Sequence, residues 1–175
     1  DGGMTWNRRS IPAGVGSCWL ADVAYADKST AAIVGWNGVV LTSSDGGRNW
    51  TYRRSGTAQG LQSIAWNDSR HATAVGYKGI ILCTADGGQT WTASPSGTDH
   101  GLAGVTYVNS REGYAGGEFG VLLSTADGGR TWKAERDHTL NHLRSLFCRP
   151  GTAVFATGWN STILRREVSG PEQNR

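Results

Sequence analysis

Four dipeptides stand 41 residues apart, each pairing an aromatic ring with a polar or charged group: Trp36-Asn37, Tyr77-Lys78, Glu118-Phe119 and Trp159-Asn160. Flat rings stack on the apolar faces of sugars or on peptide side chains, and the amides and charges beside them supply directed hydrogen bonds. This is recognition chemistry. The competing reading is that the rings only pack on one another as a structural cap. Trp19, Asp99, His100, Asp137, His138 and His142 are expected on the same face. A second set, Gln62 and Arg144 at the second position of the inner strand of their repeats and Asp22 at the third, would line a channel, with Asp22 and Arg144 as an ion pair or a small-anion site. A third set is basic: Arg8, Arg9, Arg53, Arg54, Arg165 and Arg166, part of a total of 17 Lys and Arg against 14 Asp and Glu. Arginine forks suit carboxylate partners such as an acidic protein segment, whereas the plainer role is to keep outer strands from pairing with other molecules.

The elements that must hold these groups are announced by a box. It reads Asp1-Gly2-Gly3-Met4-Thr5-Trp6, Asp45-Gly46-Gly47-Arg48-Asn49-Trp50, Asp86-Gly87-Gly88-Gln89-Thr90-Trp91 and Asp127-Gly128-Gly129-Arg130-Thr131-Trp132. The aspartate can accept backbone N–H groups a few residues on, and the glycines supply positive φ, so each box fixes a hairpin. The tryptophan is large enough to plug a seam between neighbouring units. One carboxylate per turn is too few for a hard cation, so Asp1, Asp45, Asp86 and Asp127, with Trp6, Trp50, Trp91 and Trp132, are read as structural and no metal or cofactor is expected. Leu20, Leu61, Leu102 and Leu143 keep the 41-residue period, as do Gly35, Gly76, Gly117 and Gly158. Four short alternating runs per period, labelled A to D from the inside, predict a four-stranded propeller blade and essentially no helix.

Ser43, Thr84 and Thr125 lie two residues before the box aspartates. With them the boxes resemble the Asp-box, or bacterial neuraminidase, repeat, over nearly the whole chain to about Glu167. The run Ala74 to Leu82 looks most like the propellers related to the photosystem II stability and assembly factor. That resemblance implies a non-catalytic binding module, first a protein-binding scaffold or assembly factor. A lectin-like module using Trp36, Tyr77 and Trp159 is the reading from another class, and a sialidase-type glycoside hydrolase is the remote one. Sialidase chemistry needs an arginine cluster, and only Arg144 stands near the start of an A strand. His138 and His142 have metal-ligand spacing only on a helix, and they fall in a predicted loop. No phosphate loop, nucleophile elbow or zinc-protease motif occurs.

The ends suggest how the ring closes. The fourth unit has strands at Leu143–Cys148, Ala153–Gly158 and Thr162–Arg166 but Val168 where its box should start, while the chain opens with a box and an outer strand, Trp6 to Ser10. Four blades closed by the N-terminal strand joining the C-terminal blade is the expected architecture, with Arg8 and Arg9 meeting Arg165 and Arg166. Closure within one chain is favoured, and exchange of that strand between two chains to make eight blades is open. The related assembly factor is known with seven blades, so surfaces spanning several of its blades need not exist here. Residues 1–169 are expected to form a single domain and 170–175 a disordered tail. The expected partner is a protein or a glycan and not nucleic acid, because aromatics and arginines fall on different surfaces. The apolar runs are too short to cross a bilayer, and no secretory segment is read before Asp1. A soluble protein is expected, its compartment unfixed and export with leader removal compatible with the missing initiator Met. Cys18, Cys83 and Cys148 are too far apart in this scheme to pair.

Overall fold

The computed structural model describes residues 5–136, 138–149 and 152–168. Its chain runs through four consecutive antiparallel sheets. Blade 1 holds β1 (Leu20–Tyr25), β2 (Ala31–Gly35), β3 (Val39–Ser43) and β4 (Thr51–Arg54). Blade 2 holds β5 (Leu61–Trp66), β6 (Ala72–Gly76), β7 (Ile81–Thr84) and β8 (Thr92–Ala93). Blade 3 holds β9 (Leu102–Tyr107), β10 (Gly113–Gly117), β11 (Leu122–Thr125) and β12 (Lys133–Ala134). Blade 4 has three strands, β13 (Leu143–Arg149), β14 (Ala153–Gly158) and β15 (Ile163–Glu167). Each sheet pairs its strands in sequence order. The only helical pieces among the described residues are three-residue 3-10 turns at Trp36–Gly38, Tyr77–Gly79 and Glu118–Gly120.

The alternating pattern buries one face of each blade against the next. Ala32, Val34 and Val40 of blade 1 pack on Leu61, Ile64, Ala74 and Leu82 of blade 2, and Trp91 fills the same cluster. Val75 and Ile81 meet Leu102, Val105, Ala115, Leu123 and Trp132 one seam later. The period-two alternation and the 41-residue repeat therefore act together: one selects the face, the other stacks equivalent faces. The second seam also hides a polar link, in which Tyr107 Oη and Thr73 Oγ1 lie 2.6 Å apart. Burial pushes the Tyr107 hydroxyl well above the ordinary tyrosine range.

The boxes close the turns after each C strand. The Ser43 hydroxyl donates to Asp45 Oδ1 at 2.8 Å and accepts the Gly47 N–H at 2.9 Å, while Asp45 Oδ1 accepts the N–H groups of Arg48 and Asn49 at 3.0 and 2.9 Å. Thr84 with Asp86 and Thr125 with Asp127 repeat the arrangement. The glycine pairs sit at φ from 74 to 89°, a region in which a side chain would be strained. Hydrogen bonds from the backbone and side chain of Asn49 and from Ser43 hold the Asp45 carboxyl at about 2. Asp86 is pushed up by burial, but the bonds from Thr90, Thr84 and Gln89 outweigh it and it also lies at about 2. Asp127 follows the same balance through Thr131, Thr125 and Arg130. Asp1 lies outside the described residues.

The closing pairing is not formed among the described residues. The A strands follow one another as β1, β5, β9, β13, and β13 does not pack back on β1. Residues 5–10 belong to no strand, Trp6 is 97 % exposed, and β15 is the outer edge of its sheet. Four blades thus make an arc. The A strands pack in sequence, β1 on β5, β5 on β9 and β9 on β13, and the series leaves the first and last blades apart. The expected tail, 170–175, lies outside the described residues. The three cysteines stand as free thiols.

Candidate functional site

The top face is built by the turns between B and C strands. Each B strand ends in a repeat glycine, and a Cβ at Gly35, Gly76, Gly117 or Gly158 would collide with the carbonyl oxygen of Trp19, Gly60, Gly101 or His142. That close approach stitches every turn to the loop entering the A strand. The N–H of Trp36 donates to Trp19 O at 2.9 Å, Tyr77 to Gly60 at 3.0 Å, Glu118 to Gly101 at 2.8 Å and Trp159 to His142 at 2.9 Å. Where both positions carry side chains, Trp19 with Trp36 and His142 with Trp159, those side chains lie beside one another.

The next residue of each turn takes a left-handed backbone: Asn37 (φ 56°), Lys78 (54°), Phe119 (52°) and Asn160 (50°). Asparagine tolerates this region, whereas an aromatic residue there is strained. Phe119 is held in it between two imidazoles, 4.9 Å from His100 and 4.8 Å from His142 by ring centroids. His142 in turn stacks on Trp159 at 4.5 Å. A second run joins Trp19 to Trp36 at 5.3 Å and Trp36 to Tyr77 at 5.7 Å, both edge-on. The top face thus carries two ring runs instead of one ring of equivalents. Sequence reasoning named most of these residues but missed the continuous stack, because the residues that align with Phe119 and His100 in the other repeats, Asn37, Lys78 and Asn160 and Cys18, Gln59 and Asn141, are not aromatic.

Between the runs lies a cavity of about 200 Å³, walled by Tyr77, His142 and Trp159 and floored by Gln62, Leu102, Ala103, Leu143 and Arg144. Glu118 also borders it, but its carboxylate is spent on the Gly101 N–H at 2.8 Å. Arg144 is exposed, and no ion pair engages its guanidinium among the described residues. Asn37 and Lys78 are exposed and stand outside this cavity, while Asn160 donates to Asn141 Oδ1 at 3.0 Å.

The expected pair of Asp22 and Arg144 is not formed. Asp22 accepts instead from Ser63 Oγ and the Ile64 N–H, both at 2.9 Å, and so ties blade 1 to blade 2. The pair fails for the reason closure fails: its two blades are not neighbours. Asp22 and Gln62 line an inner groove of about 500 Å³ along the A strands, and Gln62 also reaches the top cavity.

The arginines are dispersed. Arg8 and Arg9 are exposed outside any strand, so they do not meet Arg165 and Arg166. Arg165 pairs with Glu167, and Arg166 with Glu135 at 3.0 Å, each also standing over a ring, Phe155 or Tyr114. Arg53 donates to Thr42 Oγ1 at 3.0 Å, and Arg54 is exposed on β4. His138 and His142 diverge, the first bordering the seam of blades 3 and 4 and the second the top face. No cluster of three metal-ligating side chains occurs among the described residues. Burial pushes the Cys83 thiol up, away from nucleophilic use.

Residues 53–125 match the family model of the photosynthesis system II assembly factor YCF48. No curated protein sequence matches the chain. Among solved structures it is similar to YCF48 bound to a D1 peptide, at 22 % identity and TM-score 0.71 over 89 % of this chain and 51 % of that one. YCF48 from Cyanidioschyzon merolae gives 18 % identity and the same TM-score over 88 % and 51 %. The computationally designed Ika4 protein gives 10 % identity and TM-score 0.70 over 95 % of this chain and 100 % of that one. The chain is an Asp-box β-propeller that resembles YCF48 and spans about half the length of the YCF48 structures.

Proposed function

We propose that this chain is a non-catalytic protein-binding module of assembly-factor type, and that it takes a peptide segment at the top-face cavity. The observation behind this reading is Arg144, a guanidinium without an ion-pair partner among the described residues, set beside aromatic walls from Tyr77, His142 and Trp159. Such a site suits a carboxylate with an apolar or aromatic neighbour. The likeness to YCF48, one structure of which holds a D1 peptide, supports a peptide as the ligand class. A sugar platform is not favoured, because Trp36 spends its ring on edge-on contacts with Trp19 and Tyr77 and the equivalents offer no row of open faces.

The test is titration with that D1 peptide, read by intrinsic fluorescence and calorimetry. Arg144→Glu and Trp159→Ala should each weaken binding about tenfold or more, the scale of one charge-assisted contact. Arg53→Glu with Arg54→Glu, on the outer strand of blade 1, should leave it unchanged. Loss with the outer pair but not with Arg144 would move the contact surface to the blade rim and sink this reading.

A further inference from the structure

The turn between the B and C strands of blade 3 departs from its counterparts. In the other blades the aromatic residue comes first and a polar residue second, Trp36-Asn37, Tyr77-Lys78 and Trp159-Asn160, whereas blade 3 reads Glu118-Phe119. The first position lies over the loop that enters the A strand. Trp36 meets Trp19 there, Trp159 meets His142, and a Cβ on Gly60 would strike the Tyr77 ring. In blade 3 Glu118 takes that place, with its carboxylate on the Gly101 N–H at 2.8 Å. The exchange moves the ring to the second position, where the backbone is left-handed at φ 52°.

A phenylalanine in that conformation strains the backbone, which the aligned Asn37 and Asn160 tolerate. Burial is the usual compensation for such strain, and Phe119 has little of it. It is 56 % exposed. Among the described residues it joins none of the three buried apolar clusters. Its ring contacts are the tilted imidazoles of His100 at 4.9 Å and His142 at 4.8 Å, and His100 is itself exposed. A strained ring held at the surface points to contact with something outside the fold.

The place of Phe119 says what that contact is. His142 carries the stack from Phe119 to Trp159, and both His142 and Trp159 wall the cavity whose floor holds Arg144. Phe119 and His100 do not line that cavity. They stand at its rim, beside Glu118 and His142. In a peptide with one residue on Arg144, the Cα of the next lies about 3.8 Å further on, so the chain leaves the cavity over a rim of this kind. The open part of the Phe119 ring offers an edge-to-face or tilted contact to a second ring. Arg144 in the adjoining cavity disfavours a basic side chain there.

From this we infer that Phe119 is a specificity-determining residue of the top site: with His100 and His142 it forms a ledge for an aromatic side chain next to the carboxylate held at Arg144. The inference rests on the peptide-binding reading above and adds the residue that selects the neighbour of the carboxylate. The exchange of Glu118 and Phe119 in blade 3 alone is then what breaks the symmetry of the repeat at this site.

The probes are two blocked dipeptides, acetyl-aspartyl-phenylalanine amide and acetyl-aspartyl-alanine amide, titrated against the whole chain and followed by NMR chemical shifts. The unmodified chain should bind the first about three to ten times more tightly, the scale of one aromatic pair. Phe119→Asn, the residue found at this place in blades 1 and 4, should bring the ratio to about one and raise the urea midpoint by relieving the strain. Arg144→Glu should weaken both probes and keep the ratio. A ratio that survives Phe119→Asn overturns the inference. So does a lower midpoint, which would make the ring part of the fold's own packing, and so does an unmodified chain that binds both probes equally or neither. In each of these cases the peptide titration above still decides the reading beneath it. A ratio that depends on Phe119 while Arg144→Glu changes neither probe would uphold the ledge and sink the role of Arg144.

Discussion

The seam between blades 2 and 3 and the seam between blades 3 and 4 are built from the same repeat, yet one is sealed and the other is open. The first holds Trp132, Leu123, Val105 and Ile81 with the Tyr107–Thr73 link beneath them. The second has the matching wall, Leu164, Leu146 and Leu122, around a cavity of about 240 Å³. The second seam lacks the indole, and Cys148 and Tyr114 stand where the first has Tyr107 and Thr73. Repeated apolar walls shape a seam, but the box tryptophan fills it, and that residue comes from the box after the third strand of a blade. A blade that lacks its own box is therefore complete in backbone pairing of three strands and incomplete in packing.

The largest way to break the comparison is to make the sealed seam resemble the open one. Trp132→Ala should destabilise the fold by about 3–5 kcal/mol, the usual cost of a buried Trp truncation, read as a shifted urea midpoint. Next is a pair of leucines. Leu123→Ala should cost about 2–5 kcal/mol, whereas Leu164→Ala should cost clearly less because its cavity already exists. Equal costs would mean that the two seams are packed alike. Thr73→Val should cost about 1–3 kcal/mol by leaving the buried Tyr107 hydroxyl without its partner. Tyr107→Phe on top of it should recover part of that loss.

The boxes offer a finer contrast, because they are alike whether or not their seam is sealed. Asp45, Asp86 and Asp127 titrate at about 2 in the folded chain, below the ordinary aspartate value. A depressed folded value means that their stabilisation is fully present above the ordinary value and is lost as pH falls towards about 2. Tryptophan fluorescence followed downward from pH 5 should therefore change between about pH 4 and 2. Asp86→Asn should remove part of that acid sensitivity, and an unchanged profile would place the acid response elsewhere. The smallest effect is expected at the top face, where Trp36→Ala gives up edge-on contacts worth about 0.5–1.5 kcal/mol.

Much of this was legible in the residues. The 41-residue spacing of Leu61, Leu102 and Leu143 predicts equivalent buried positions, and all three are fully enclosed. Gly76 and Gly117 are periodic because the incoming loop carbonyl leaves no room for a Cβ. Leu20 belongs to the same series but is 40 % exposed, since among the described residues no blade packs on its open side. The site was legible as a set of residue types and not as an arrangement. Trp36, Tyr77 and Trp159 share a repeat position, but Trp159 stacks on His142 while Trp36 turns to Trp19.

What the sequence determined by itself is local and periodic: which residues alternate, where glycine and aspartate close a turn, and which faces must be buried. These depend on contacts within one repeat or between adjacent copies, and a repeat states them several times over. The tertiary structure alone decided which blades stand beside one another. Which blades adjoin depends on contacts between whole sheets, and no single repeat states it. The separation of the first and last blades sets Asp22 and Arg144 apart and leaves Arg144, among the described residues, without an ion pair on the floor of the top cavity.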